Sequence, residues 1–536
     1  YEKNLGQHFL KLMVGYEEEL YDYQSLYGSK MDLITTEVPS ISTATGTTTL
    51  GDTKGHWSTQ AVFGRFNYNF AEKYLFEFSG RYNGSSRFAS DSRWGFFPSA
   101  SAGYNISKEN FWDPIARTVN SLKIRGSYGS LGNQNVPNYL YVPTVPVFSN
   151  LNYVLDGQRP NYANIPAILP SNLTWETVTT VNLGLDATFL KNRLGLSFDI
   201  YQRTTSNMFG PAQDLPAVLG TSVPYENNAE MRTKGFEVSL TWADATSQHF
   251  NYHVKLTVGD NTSTIVKYQN TSRVIDTWYD GKRYGEIWGY QTDGLIQTQG
   301  EQMPDQSKFY PTWGPGDMKY KDLNGDGKIT DGSRTLSDHG DLKVIGNITP
   351  RYNFGLNAGF NWKDFSFNMF WQGVAKQNYL PDRNANVFWG VIPGGSPGSE
   401  SSIDKGSPAL NYWRPADETN FLGPNTNAYF PKPYFDYDEF MKNHQDQSRY
   451  VLNAAYLRLK NVQIGYTIPT KYSSKVFIKS IKIYASGENL ITITSLPKVL
   501  DPETVFVSDA ALGGIEATSL IYPLSRSVSF GINITF

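Results

Sequence analysis

The chain has 536 residues, of which 15% are aromatic and 18% charged, and it contains no cysteine. Disulfide staples and thiolate metal sites are therefore excluded, and a net charge of 47 − 50 = −3 supplies no basic field for nucleic acid. No stretch reaches the roughly 18 consecutive apolar residues that a membrane-crossing helix requires.

Residues 1–19, YEKNLGQHFLKLMVGYEEE, lack the basic start and apolar centre of an export signal. From there the dominant pattern is alternation with a period of two. In RFNYNF, Phe66, Tyr68 and Phe70 share one face, with Arg65, Asn67 and Asn69 on the other. A short turn at Ala71–Lys73 leads to Tyr74, Phe76, Phe78, Gly80 and Tyr82, set against Glu77, Ser79, Arg81 and Asn83. Val181, Leu183, Leu185, Ala187 and Phe189 turn through Lys191-Asn192 into Leu194, Leu196, Phe198 and Ile200.

Phe236, Val238, Leu240 and Trp242 answer Tyr252, Val254, Leu256 and Val258 in the same way. Tyr352 to Phe360 turns at Lys363-Asp364 into Phe365, Phe367, Met369 and Trp371, and the chain ends on Val528, Phe530, Ile532, Ile534 and Phe536. Near Lys460–Asn461 the parity slips by one, which predicts a β-bulge. Roughly fourteen such strands are predicted, each long enough to cross a bilayer at a tilt.

A soluble sandwich also alternates. Three features favour a membrane barrel. Aromatics gather at strand ends, turns alternate between short and very long, and the polar face carries Arg65, Arg81, Lys123, Arg125 and Lys255. Those charges are costly in a dry core and comfortable in a wet lumen.

The predicted fold is an all-β transmembrane antiparallel barrel spanning residues 1–536, with long loops over 132–174, 264–349 and 377–450. Loops of that length are usually functional, and Trp278, Trp288, Trp313, Trp389 and Trp413 are placed either to stack on solute or to pack the loops together.

Within 264–349, Asp322-Leu-Asn324-Gly-Asp326-Gly327-Lys328-Ile-Thr330 follows the first nine positions of an EF-hand-type calcium loop. Asp322, Asn324 and Asp326 supply side-chain oxygens, Lys328 its carbonyl, and Gly327 takes the sharp turn. The twelfth position, ordinarily a bidentate acid, is Ser333, which leaves Asp331, Asp338 and Asp341 as substitutes. With no long flanking helices, the motif predicts a structural Ca2+ clip.

Other motifs carry no catalytic reading. Gly394-Gly395-Ser396-Pro397-Gly398 lacks the strand-to-helix elbow of a nucleophile. His249 and His253 on a strand stand about 13 Å apart, too far to share a metal. The glycines 126, 129 and 132 open no helix. No active site is expected.

Several segments, in order, resemble the SusC/RagA-type TonB-dependent outer-membrane transporters of the Bacteroidetes. These are YLFEFSGRYNGSSRFASDSRWGFFPSASAGYNISKENF (74–111), LTWETVTTVNLGLDATFLKNRLGLSFDIYQRTTSNM (173–208), NAEMRTKGFEVSLTW (228–242), DLNGDGKIT followed by DLKVIGNITPRYNFGLN, YLRLKNVQIGYTIP (456–469) and SGENLITIT (486–494). Ala229 and Thr233 depart from the family pattern.

The resemblance makes Asp341 the fifth calcium ligand, separated from the others by an insertion at 332–340. It implies a barrel of about 22 strands around an N-terminal plug, with the present chain as its C-terminal part. It also implies import of oligosaccharides or peptides, powered through TonB acting on the plug. A SusD-like lipoprotein would serve as lid, in a dimer of SusC–SusD pairs embedded in outer-membrane lipid. The plug and the TonB-contacting segment are expected to lie outside this sequence. The alternatives are a passive porin, which would need short extracellular loops, and an all-β surface glycan-binding protein or carbohydrate enzyme, which would need no lipid-type face.

Overall fold

The computed structural model describes residues 1–536 except 150, 171, 212–222, 248, 383–387, 389–410, 420, 435, 474–477, 499 and 507–523. One 15-stranded antiparallel sheet holds most of the regular secondary structure, its strands neighbouring one another in chain order. They are β1 (Glu2–Leu5), β2 (His8–Lys30), β3 (Thr48–Phe70), β4 (Tyr74–Ser85), β5 (Trp94–Asn105), β6 (Val119–Asn133), β7 (Glu176–Phe189) and β8 (Leu194–Pro211). The series continues with β9 (Tyr225–Ser247), β10 (Phe250–Lys267), β11 (Arg351–Trp362), β12 (Phe365–Lys376), β13 (Tyr456–Ile468), β14 (Ser480–Thr494) and β15 (Ser527–Thr535). The count exceeds the predicted fourteen by the short β1, whose four residues are too few to show a period.

The in-register pairs follow the alternation. Phe66, Phe78, Ala100, Tyr128 and Val181 line up across five strands on the apolar face. The next row but one on the opposite face runs Gly103, Arg125, Gly184, Asp199 and Glu237. Ions on that face pair along the wall, as in Arg65–Glu77 and Arg81–Glu17. An apolar outer surface and an ion-lined inner one are the two faces of a membrane barrel.

Aromatic rings collect where the short turns lie. Phe70 stacks on Tyr74 and Tyr74 on Tyr104, at 6.3 and 5.1 Å, while Trp362, Phe365 and Tyr466 form a second run. Their amphipathic or apolar rings suit the level of the lipid headgroups. The parity slip at Lys460 is a bulge, since the pairing of β13 with both β12 and β14 skips a residue between Leu459 and Asn461. β2 and β3 stay paired as far as Lys30↔Thr48, well beyond the end of β4 at Thr59↔Ser85, so this ribbon projects past its neighbours on the long-loop side.

Candidate functional site: the loop assembly and its calcium-type turn

The long connections after β10, β12 and β14 fold against one another. They share a buried core that includes Ile275, Tyr290, Met318, Tyr320 and Ile329 from the first, Trp413, Phe430 and Tyr450 from the second, and Leu496 and Leu500 from the third. Short two-stranded pairings give the first two loops local shape: Glu286–Tyr290 with Leu342–Asn347 and Thr292–Leu295 with Met318–Tyr320 in the first, and Asn378–Tyr379 with Leu452–Asn453 in the second. Each large apolar side chain so buried contributes about 1.5–3 kcal/mol, enough in sum to order backbone that has no sheet to lean on.

This packing decides among the tryptophans. Trp413 is buried, Trp288 and Trp313 pack onto the same core, and Trp313 donates its Nε1–H to the Tyr310 carbonyl at 2.8 Å. Trp278 meets Tyr268 edge-on at 5.7 Å. Trp389 and the segment Gly394–Gly398 lie outside the described residues. The four described tryptophans thus hold loop structure together.

A helix, α1 (Tyr437–Asn443), is capped by Asp436, which accepts from the Glu439 amide at 3.0 Å. It carries Lys442 into the core, where the side chain is 1% exposed and meets Asp317, also 1% exposed, at 2.9 Å. Tyr434 and Asn443 donate to the other Asp317 oxygen at 2.8 and 2.9 Å, and the Gly314 amide donates at 2.9 Å. The Tyr310, Trp313 and Tyr434 rings surround the ammonium. Burial, then the Asp317 charge, drives the Tyr434 hydroxyl pKa well up, so it remains a donor. A buried charge is tolerated only with such full partnering, and this pair ties the first loop to the second. Nothing in local sequence periodicity marks it.

The calcium-type turn occupies the edge of the assembly. Asp322 accepts from the amides of Gly325 and Gly327 at 2.6 and 2.8 Å, Asn324 from that of Asp326 at 2.9 Å, and Asp326 from that of Lys328 at 2.8 Å. The Gly327 and Gly325 amides hold the Asp322 carboxyl below its ordinary pKa. Gly327 has φ +82, a conformation that favours glycine.

Asp341 is brought to the same turn. Its oxygens accept from the Leu323 and Thr330 amides at 2.7 and 2.8 Å, and its own amide donates to the Thr330 carbonyl. The insertion is thereby looped out. The competing acids are engaged elsewhere: Asp331 by Lys308 and Arg334, and Asp338 by Ser333. Among the described residues, no group of three or more His, Cys, Asp or Glu side chains is gathered as a metal cage. The donor types and the Gly turn suit Ca2+, and Asp341 lies against the turn, with its carboxylate oxygens bonded to backbone amides.

The profile of the family described as "TonB dependent receptor-like, beta-barrel" matches residues 3–490. The chain belongs to that family. TonB-dependent receptor P3 of Formosa agariphila is 29% identical over 557 residues, covering 100% of this chain and 51% of the relative. TonB-dependent receptor SusC of Bacteroides thetaiotaomicron is 25% identical over 488 residues, covering 89% and 43%. This TonB-dependent receptor barrel therefore spans about half the length of the curated relatives it matches. Among solved structures, the RagAB peptide transporter superposes with a TM-score of 0.76 at 23% identity, covering 100% of this chain and 54% of that one, a likeness of fold. The chain is an outer-membrane β-barrel of the TonB-dependent receptor family.

Proposed function

We propose that this barrel is the wall of an energy-dependent importer that draws oligosaccharides or peptides across the outer membrane. The observation that carries the reading is the pairing of an ion-lined inner face with an ordered loop assembly at the end where solute would enter. A passive porin has no need of three long loops folded around their own core. In this reading a SusD-like lipoprotein closes over the assembly, and TonB acts through a plug held inside the wall. The chemistry is non-covalent: capture above, then passage along a polar surface.

Ca2+ is proposed as a resident ion of the 322–341 turn, held by Asp322, Asn324, Asp326, the Lys328 carbonyl and Asp341. It would supply charge neutralisation and rigidity to the loop assembly.

The test is uptake by cells carrying the whole protein, compared with cells in which it or TonB is deleted. Labelled oligosaccharide and peptide mixtures serve as probes, with purification of the detergent-solubilised complex in parallel. Loss of uptake in both deletions and a co-purifying lipoprotein are expected. Uptake that survives TonB deletion would overturn active import.

A further inference from the structure

The connection after β14 is anchored at two places. Its residues Leu496 and Leu500 lie in the core of the loop assembly, and Val505 and Phe506 pack against it, with Phe506 edge-on to Tyr379 at 5.6 Å. The same segment also turns onto the wall. Arg458 of β13 is paired in register with Thr492, whose neighbours Ile491 and Ile493 are exposed on the lipid-facing side. Arg458 and Thr492 therefore face the lumen.

A guanidinium on a wide aqueous lumen ordinarily stays wet, but the Arg458 side chain is only 3% exposed because the segment closes over it. Its Nη2 donates to Asp501 Oδ2 at 2.7 Å, its Nη1 to Glu503 Oε1 at 2.6 Å, and its Nε to Thr492 Oγ1 at 2.9 Å. Lys460 adds a bond from Nζ to Glu503 Oε2 at 3.0 Å. The Asp501 carboxylate also accepts from the Leu524 amide at 3.2 Å and the Glu503 amide at 2.9 Å. Both carboxylates are thus committed to the wall, and the guanidinium is bonded through Nε and both Nη atoms.

We propose that residues 495–498 and 500–506 form a strap folded inward across the mouth of the lumen, latched to the wall by Arg458 and Lys460, and that this strap sets the size of solute admitted there. The physical case is the pair of anchors. Apolar side chains on either side of the latch, Leu496 and Leu500 before it and Val505 and Phe506 after it, fix the strap to the loop assembly. The carboxylates between them hold it against the wall, because releasing Asp501 and Glu503 strands a buried arginine, which is costly until water reaches it. The proposal rests on the transporter reading, but its consequences are read on the strap itself.

The whole protein in detergent micelles is compared with the Asp501→Asn/Glu503→Gln variant by hydrogen–deuterium exchange. Amides of 495–498 and 500–506 are expected to exchange about tenfold faster in the variant while those of β14 keep their rate. Equal rates in the strap would overturn the latch.

The size limit is read with Gln463→Cys, a lumen-face position on β13 nearer its short-turn end; the chain has no other cysteine. With the latch intact, a small methanethiosulfonate added from outside reacts and a polymer-bearing maleimide does not. With Asp501→Asn/Glu503→Gln, the bulky reagent is expected to react about tenfold faster or more. Unchanged exclusion of the bulky reagent would overturn the constriction, as would failure of the small one to react. Where the double variant fails to assemble, Glu503→Gln alone keeps the Asp501 bond and is expected to give the same changes at smaller size. Both readouts are independent of cargo uptake, so failure of the strap and failure of the transport reading are told apart.

Discussion

The guanidinium of Arg125 on β6 reaches across β7 to grip Asp199 on β8, with two bonds of 2.6 Å. Asp186, on the strand between, accepts from Nε at 2.9 Å. What makes the reach possible is Gly184, which stands between them in register; a Cβ there would lie 2.5 Å from the Arg125 Cζ. Gly184→Val is therefore expected to destabilise the wall by about 1–3 kcal/mol, as overpacking does, and to break the clamp. The heat-modifiable mobility of the folded barrel on a gel is the measurement. A variant that migrates and melts like its parent would show that the clamp has room the structure does not give it.

The calcium-type turn makes a separate prediction. If the 322–341 turn holds Ca2+, elemental analysis of the purified whole protein finds one tightly held calcium, and Asp326→Ala loses it. Gly327→Val should lose it as well, since forcing a side chain to φ +82 costs about 1–2 kcal/mol. Chelation is then expected to raise hydrogen exchange in 322–341 while leaving the strands unmoved. A calcium content equal in parent and Asp326→Ala would remove the ion from the account.

Much of the wall was legible because its information is local. A strand with one face in lipid and one in water repeats every two residues, so Phe66, Tyr68 and Phe70 announce themselves without knowledge of their neighbours. The bulge at Lys460 was legible for the same reason. The loop assembly was not, because its stability lies in contacts between segments far apart in sequence. Lys442 looks like a solvated helix charge until Asp317 arrives from another loop, and Trp413 looks like a sugar platform until the first loop, at Gly316, packs against its ring. The calcium-type turn falls between these cases. Its first ligands are spaced locally, whereas the position of Asp341 depended on how the insertion folds.

The Lys442–Asp317 pair separates two explanations of loop order. If the apolar core alone orders the loops, replacing both partners by apolar residues and replacing one should cost similar amounts. If the pair ties the loops together, Lys442→Met leaves a buried carboxylate facing Tyr434 and Asn443, and the cost is about 3–5 kcal/mol. The double change Lys442→Met/Asp317→Leu should cost much less. Thermal melting of the loop assembly, followed by limited proteolysis, reads the difference. Equal losses in the single and double variants would return the credit to the core.

His444 supplies a dependence on pH. It follows α1, is 5% exposed, stacks on Phe440 and donates from Nδ1 to the Phe440 carbonyl at 2.6 Å. Burial lowers its pKa to about 3 from an ordinary value of 6.5. The folded chain thus keeps the ring neutral where the unfolded chain takes a proton. Its contribution to stability is complete above about pH 6.5 and declines as the pH falls from there toward 3, by about 1.4 kcal/mol per unit within that window. Between pH 7 and 5 the loop assembly should therefore loosen more steeply in the parent than in His444→Gln, which has no proton to gain. Hydrogen exchange of the α1 amides at the two pH values is the measurement. Parallel pH dependences in parent and variant would mean that water reaches the ring in the folded chain.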